Sequence, residues 1–212
     1  MAEVSPLTAV CMDETAARAM LIAAGRDLAR RGWLEATSGN LSCRIGGDRM
    51  AITASGCSKG VLTESDIASV ALDRALPVGI SAEAPLHVSL YRRDPAIGAV
   101  LHVHSPVATL VSMKHAAAGA VIIAGFEMLK ALDGIDTHEA TLALPVFAND
   151  QDVPALARRV EERLDAEPGH VGYLIAGHGL YGWGRTMADA RRHVEAFAFL
   201  LGCVHEQGRR TR

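Results

Sequence analysis

The residues best suited to chemistry in this chain are histidines. Nine occur in 212 residues, and two of them, His102 and His104, alternate in the stretch AVLHVHSP. Residues two apart on a strand face the same way, so these imidazoles project together while Leu101 and Val103 enter the opposite, apolar face. Side by side at a strand end they form half of a metal site, although two histidines that merely bond backbone would leave the same trace. A third, His178, stands between Gly177 and Gly179 in LIAGHGLYGWG. Glycine on both sides lets the backbone turn sharply and approach another strand, which allows this imidazole to meet the first pair. Three neutral imidazoles with an open position are the pattern of a catalytic rather than a structural zinc ion.

Two carboxylates accompany them. Glu83 in SAEAPLH and Glu127 in GFEMLK each follow a strand and precede a helix. A general base needs a carboxylate held near the metal in a partly dry cleft, and either position could supply one. Taken singly, each is better explained by a favourable charge at a helix N-terminus. The loops containing Ser38, Gly39, Asn40, Ser55, Gly56, Ser58 and Lys59 offer backbone N–H groups, hydroxyls, an amide and an ammonium, the groups that hold a phosphate locally. Ser/Gly loops are also ordinary turns.

These groups need elements to hold them. Met12 to Arg31 carries apolar residues at helical spacing, with Gly32 as the expected C-cap. TSGNLSCRI and RMAIT read as a hairpin around Gly46-Gly47-Asp48, and Thr63 with Asp66 reads as a capping box before the strand IASVAL. PLHVSLYRRD is a short helix, GAVLHVH a strand, and SPVATLVSMKH a helix with Ser105 as N-cap and Pro106 in the first turn. AVIIA and LALPVF are strands on either side of a short helix in GFEMLKALDG, and NDQDVPALARRVEERLDA is a further helix. Two strands meet near His178, and a last long helix starts at Thr186 with Asp189 completing its capping box. Helices and strands interleave without a repeat, which gives an α/β class in three layers within one domain over residues 1–212.

Composition narrows the functions. Half the residues are hydrophobic, a fifth are charged and the formal net charge is −3, which argues for a globular chain and against a nucleic-acid partner held by bulk positive charge. From Pro95 to Phe126 the only formal charge is Lys114, yet His102, His104, Pro106 and His115 interrupt that stretch, so it reads as buried core with no membrane span. Cys11, Cys43, Cys57 and Cys203 form no C-x-x-C pair, and the first residues lack a basic, then apolar, leader; a reduced, cytoplasmic protein is expected.

TSGNLS, ITASG, SAEAPLH, VLHVHSP and AGHGLYGWG, in this order, resemble the class II aldolase/adducin family over nearly the whole chain. GFEMLKALDG, the Thr137-His138-Glu139 triplet and PVFANDQD are similar to its sugar-phosphate dehydratase branch. The resemblance implies an α/β/α sandwich around a mixed sheet, a homotetramer, a sugar-phosphate substrate and one divalent metal, normally Zn2+, on His102, His104 and His178. It puts the acid/base glutamate of the dehydratases on Glu127 and that of the aldolases on Glu83, and leaves the choice open because this chain has both. It puts the phosphate on Asn40, Ser55, Gly56 and Ser81, with Ala82 where the aldolases often carry a second serine. An aldolase or epimerase, and a non-catalytic module like the adducin head, are the competing expectations. His138 belongs to the motif without a derived role, His87 lies beside the Glu83 segment, and His115, His170, His193 and His205 are expected to be structural or exposed.

Overall fold

A computed structural model describes residues 12–210; Cys11 and the first residues, on which the expectation about a leader rests, lie outside the described residues. Among these, helices and strands alternate as α1 (Glu14–Arg30), β1 (Asn40–Ile45), β2 (Arg49–Thr53), β3 (Ile67–Ala71), α2 (Ala84–Arg93), β4 (Ala99–Val103), α3 (Pro106–His115), β5 (Ala120–Ala124), β6 (Thr141–Phe147), α4 (Val153–Ala166), β7 (Gly172–Ile175), β8 (Gly179–Gly184) and α5 (Met187–Arg210). The strands form one mixed sheet in the order β3-β2-β1-β4-β8-β7-β6-β5. Only β6 and β7 run parallel among these neighbours.

Alternation along the strands builds two cores. Leu41, Leu101, Val103, Leu174 and Leu180 pack with α1, α3 and α5 on one face, whereas Val100, Tyr173, Ile175, Tyr181 and Trp183 pack with α2 and α4 on the other. The sheet is therefore the middle of three layers, as expected. Every residue of β4 is buried, because this central strand is covered on both faces.

Local signals end the elements where the sequence places them. The side chain of Ser105 accepts the amide of Ala108 at 3.2 Å and starts α3. Both capping boxes form, Thr63 with Asp66 and Thr186 with Asp189. At the end of α1 the C-cap is Arg31, and Gly32 follows in the left-handed conformation at φ 70°. The amides of Gly32 and Trp33 bond back to Ala29 and Leu28, a Schellman closure, and the Trp33 carbonyl then accepts the His104 amide at 2.8 Å. The end of the first helix thus braces the end of the histidine strand. One expectation changes: the short helix in GFEMLKALDG is a 3-10 turn, Glu127–Ala131.

Candidate active site

Strand register assembles the site. Asn40 on β1 lies opposite His102 on β4, His102 opposite Tyr181 on β8, and Tyr181 opposite Tyr173 on β7. Directly opposed residues share a face, so all four side chains stand in one row on the α2/α4 side. The His102 ring stacks on Tyr181 with centroids 4.0 Å apart at 13°, and Tyr181 stacks on Tyr173 at 4.8 Å and 15°. A stacked wall of aromatic rings fixes the His102 plane.

His104, just past the end of β4, and His178, in the turn between β7 and β8, complete the cluster. Nε2 of His102 lies 2.8 Å from Nε2 of His104 and 3.3 Å from Nε2 of His178. Gly177 turns at φ 67°, and a Cβ on Gly179 would run into the Val103 carbonyl and lie 3.0 Å from His102 Cε1. Both glycines are therefore needed to bring His178 against β4. From α3, the Thr109 hydroxyl donates to the His178 carbonyl at 3.2 Å and the Ser112 hydroxyl accepts the Gly177 amide at 3.0 Å.

Glu83 enters from the start of α2. Its carboxylate lies 2.7 Å from His178 Nε2 and 3.4 Å from His102 Nε2, and it accepts a hydrogen bond from the Asn40 amide. Asn40 also donates to Ser81 Oγ at 3.0 Å and contacts His87 Nε2 through its oxygen, while His87 Nδ1 meets Ser42 Oγ at 2.7 Å. Burial would raise the Glu83 carboxyl, but the imidazoles packed beside it and the hydrogen bond from the Asn40 amide outweigh it and hold the group well below the usual carboxylate range. Burial pushes His102 well below the usual imidazole range and His104 down to about 4, so both rings stay neutral.

The donor set fits a cation. Glu83, His102, His104 and His178 each offer a ligand atom, all within 4.8 Å of one another. His102 Nδ1 faces the Leu180 carbonyl at 3.1 Å, which fixes its proton there and leaves Nε2 as a bare lone pair. Three imidazole Nε2 atoms and an ionised carboxylate converging on one point leave more lone pairs than protons to share. A divalent ion between them would resolve that conflict.

Of the residues named from the sequence, His102, His104, His178, Glu83, Asn40 and Ser81 meet in this cluster. Ser55 and Gly56 lie on an exposed turn, where the Ser55 amide donates to the Gly79 carbonyl and not to the histidines. Glu127 stands on the 3-10 turn with 70% of its side chain exposed, paired with Lys130 and 3.7 Å from His138, and is outside the four-residue cluster. His193, given no chemistry, is a buried strut between the Trp183 carbonyl and the Asp133 amide. Sequence reasoning missed the Asn40-His87-Ser42-Tyr91 chain, in which Ser42 Oγ also lies 2.9 Å from the Tyr91 hydroxyl, and the Tyr181 wall. Tyr181 follows Gly179 at strand spacing, and His87 follows Glu83 at one helical turn; these were the available signals.

Comparison with known proteins follows the same lines. The family described as Class II Aldolase and Adducin N-terminal domain matches residues 19–204. Methylthioribulose-1-phosphate dehydratase of Xanthomonas euvesicatoria pv. vesicatoria (strain 85-10) is 52% identical over 190 residues, covering 88% of this chain and 87% of that one. The protein of the same name from Methylococcus capsulatus (strain ATCC 33009 / NCIMB 11132 / Bath) is 52% identical over 188 residues, 86% of this chain and 90% of that one. Among solved structures, l-fuculose-1-phosphate aldolase from Thermus thermophilus has a TM-score of 0.70 at 25% identity over 90% of this chain and 93% of that one. YgbL from Klebsiella pneumoniae has a TM-score of 0.78 at 23% identity over 93% and 92%, a likeness of fold.

Proposed function

The chain belongs to the class II aldolase and adducin family, and from that premise we propose that it is a metal-dependent dehydratase of methionine salvage. It converts 5-methylthioribulose 1-phosphate to 2,3-diketo-5-methylthiopentyl 1-phosphate and water. The observation that carries this reading is a complete cluster of three imidazoles and a carboxylate in a chain about half identical to proteins of that name. A non-catalytic module has no use for such a set.

His102, His104 and His178 would hold the metal, and Zn2+ is the ion best suited to three imidazoles with a carboxylate beside them. A divalent ion there supplies Lewis acidity, polarising the ketose carbonyl so that the neighbouring C3 proton becomes removable. The chain's own groups do the rest. Glu83, ionised and at the cluster, is the nearest acceptor for the C3 proton. The C3–H electron pair forms the C3–C4 double bond, the C4 hydroxyl leaves with a proton as water, and the enol becomes the 2,3-diketone. Glu127, the dehydratase-like position, is exposed and outside the cluster, and is given only an assisting part where the C4 hydroxyl departs. Asn40 and Ser81 orient Glu83 and line the approach, and the Ser55-Gly56 turn is assigned the phosphate.

The reading extends to a homotetramer in the cytoplasm. Leu110, Met113, Ile122 and Phe199 are large apolar side chains left exposed on a single chain, as a subunit contact would require, and Cys43, Cys57 and Cys203 are free thiols. No helix among the described residues is long and apolar enough to cross a membrane.

A coupled assay of zinc-loaded protein with 5-methylthioribulose 1-phosphate tests the activity, with fuculose and ribulose phosphates as controls. Diketone formation that disappears on chelation is the expected result. Release of dihydroxyacetone phosphate from fuculose 1-phosphate, without dehydration of the first substrate, would make the chain an aldolase.

A further inference from the structure

Lys59 is the most deeply buried cationic side chain near the cluster, only 2% exposed. Its ammonium donates to the Thr37 carbonyl at 2.7 Å and to the Cys57 carbonyl at 2.9 Å. Those carbonyls belong to different loops: Thr37 leads into Ser38-Gly39-Asn40, and Cys57 follows Ser55-Gly56. The backbone of Lys59 is itself clamped, since a Cβ on Gly25 of α1 would lie 2.5 Å from its carbonyl oxygen.

An ammonium has three N–H donors, and two are used. Among the described residues no carboxylate comes within ion-pair distance of it; Glu83 and His104 are the site groups that share its field. The Ser38 hydroxyl, in the loop it ties, is buried without a hydrogen-bond partner. Burying a positive charge is costly, and tying two carbonyls together needs only neutral donors. Glu83 is an anion in its field but lies beyond ion-pair distance and would itself repel a phosphate, so the ammonium is the group that offsets that repulsion.

We infer that Lys59 is a positioning residue for the substrate phosphate: it ties the Asn40 and Ser55-Gly56 loops together and supplies the positive charge those loops lack, taking no part in proton transfer. The inference rests on the proposed function only in taking the substrate to carry a phosphate.

The test compares zinc-loaded wild type, Lys59→Met and Lys59→Arg at equal metal content, using inorganic phosphate as the probe in calorimetry and as a competitive inhibitor. In Lys59→Met, phosphate binding weakens by about tenfold or more and KM for the ketose phosphate rises alike, while kcat stays within about threefold. Its melting temperature falls only modestly, because loss of the donor to the Thr37 and Cys57 carbonyls is offset by removal of a buried charge. Lys59→Arg recovers part of the phosphate affinity. A purely structural lysine predicts instead that phosphate affinity and melting temperature fall together in both variants. Unaltered phosphate affinity in Lys59→Met, a loss confined to kcat, or a wild type indifferent to phosphate each overturns the inference; should Lys59→Met not fold, Lys59→Gln replaces it in the same comparison. A wild type that binds phosphate through Lys59 but leaves 5-methylthioribulose 1-phosphate untouched sinks the functional reading alone.

Discussion

Glu83 and Glu127 have the same side chain and different surroundings. Glu83 has 18% of its side chain exposed and touches two imidazoles, whereas Glu127 has 70% exposed and faces Lys130. General acid/base work requires reach before it requires pKa, so Glu83→Gln is expected to lower kcat by about a hundredfold or more and Glu127→Gln by less than about tenfold. Steady-state kinetics with metal content measured on each variant check this; the reverse order would move the proton to Glu127. Removal of a ligand acts differently. His102→Ala should leave less than one zinc per chain and a melting curve that no longer rises with added zinc, since the ion binds only the folded chain. Residue types and spacing made all four cluster members legible in the sequence. The ranking of the two glutamates was not, because it depends on which segment the fold brings to the histidines.

Elements carry the next set of consequences. β4 and β8 approach closely enough that Gly179 has no room for a side chain against the Val103 carbonyl. Gly179→Ala should therefore destabilise the chain by about 2–4 kcal/mol in chemical denaturation and lower its zinc affinity, because the same shift moves His178 off His102. A mild loss with full metal binding would show that the pair can part without harm. Ser105→Ala removes the N-cap of α3 and is expected to cost about 1 kcal/mol while leaving the cluster intact. Caps, turns and the strand alternation of β4 were readable because each depends on residues within a few positions of one another. The apolar pattern of GFEMLKALDG favours a helix, yet Gly125 and Gly134 flank Glu127–Ala131 at φ 77° and 83°, and so short a span between left-handed glycines closes as a 3-10 turn.

At the scale of the molecule, the buried polar seam couples folding to pH. Burial holds His87 at about 4, against an ordinary 6.5, while Glu83 pulls it slightly upward. The unfolded chain protonates this ring first as pH falls, so the stability His87 contributes is complete above about 6.5 and is lost between there and about 4. The size is about 3 kcal/mol. Denaturation of the metal-free chain at a series of pH values should show stability falling across that window, with a shallower fall in His87→Asn; an equal slope in both would place the effect elsewhere.

The sequence by itself determined the elements, the layer order and the identity of the clustered histidines, since periodicity 2 and 3.6 and local capping are properties of neighbouring residues. Only the tertiary structure decided that Asn40, His102, Tyr181 and Tyr173 stand in one row, that Glu83 rather than Glu127 reaches the imidazoles, and that Lys59 joins two loops under the Asn40 and Ser55-Gly56 segments. Those facts follow from the register between strands distant in sequence and from the side on which each helix returns, and both are fixed when the two cores on either face of the sheet pack together.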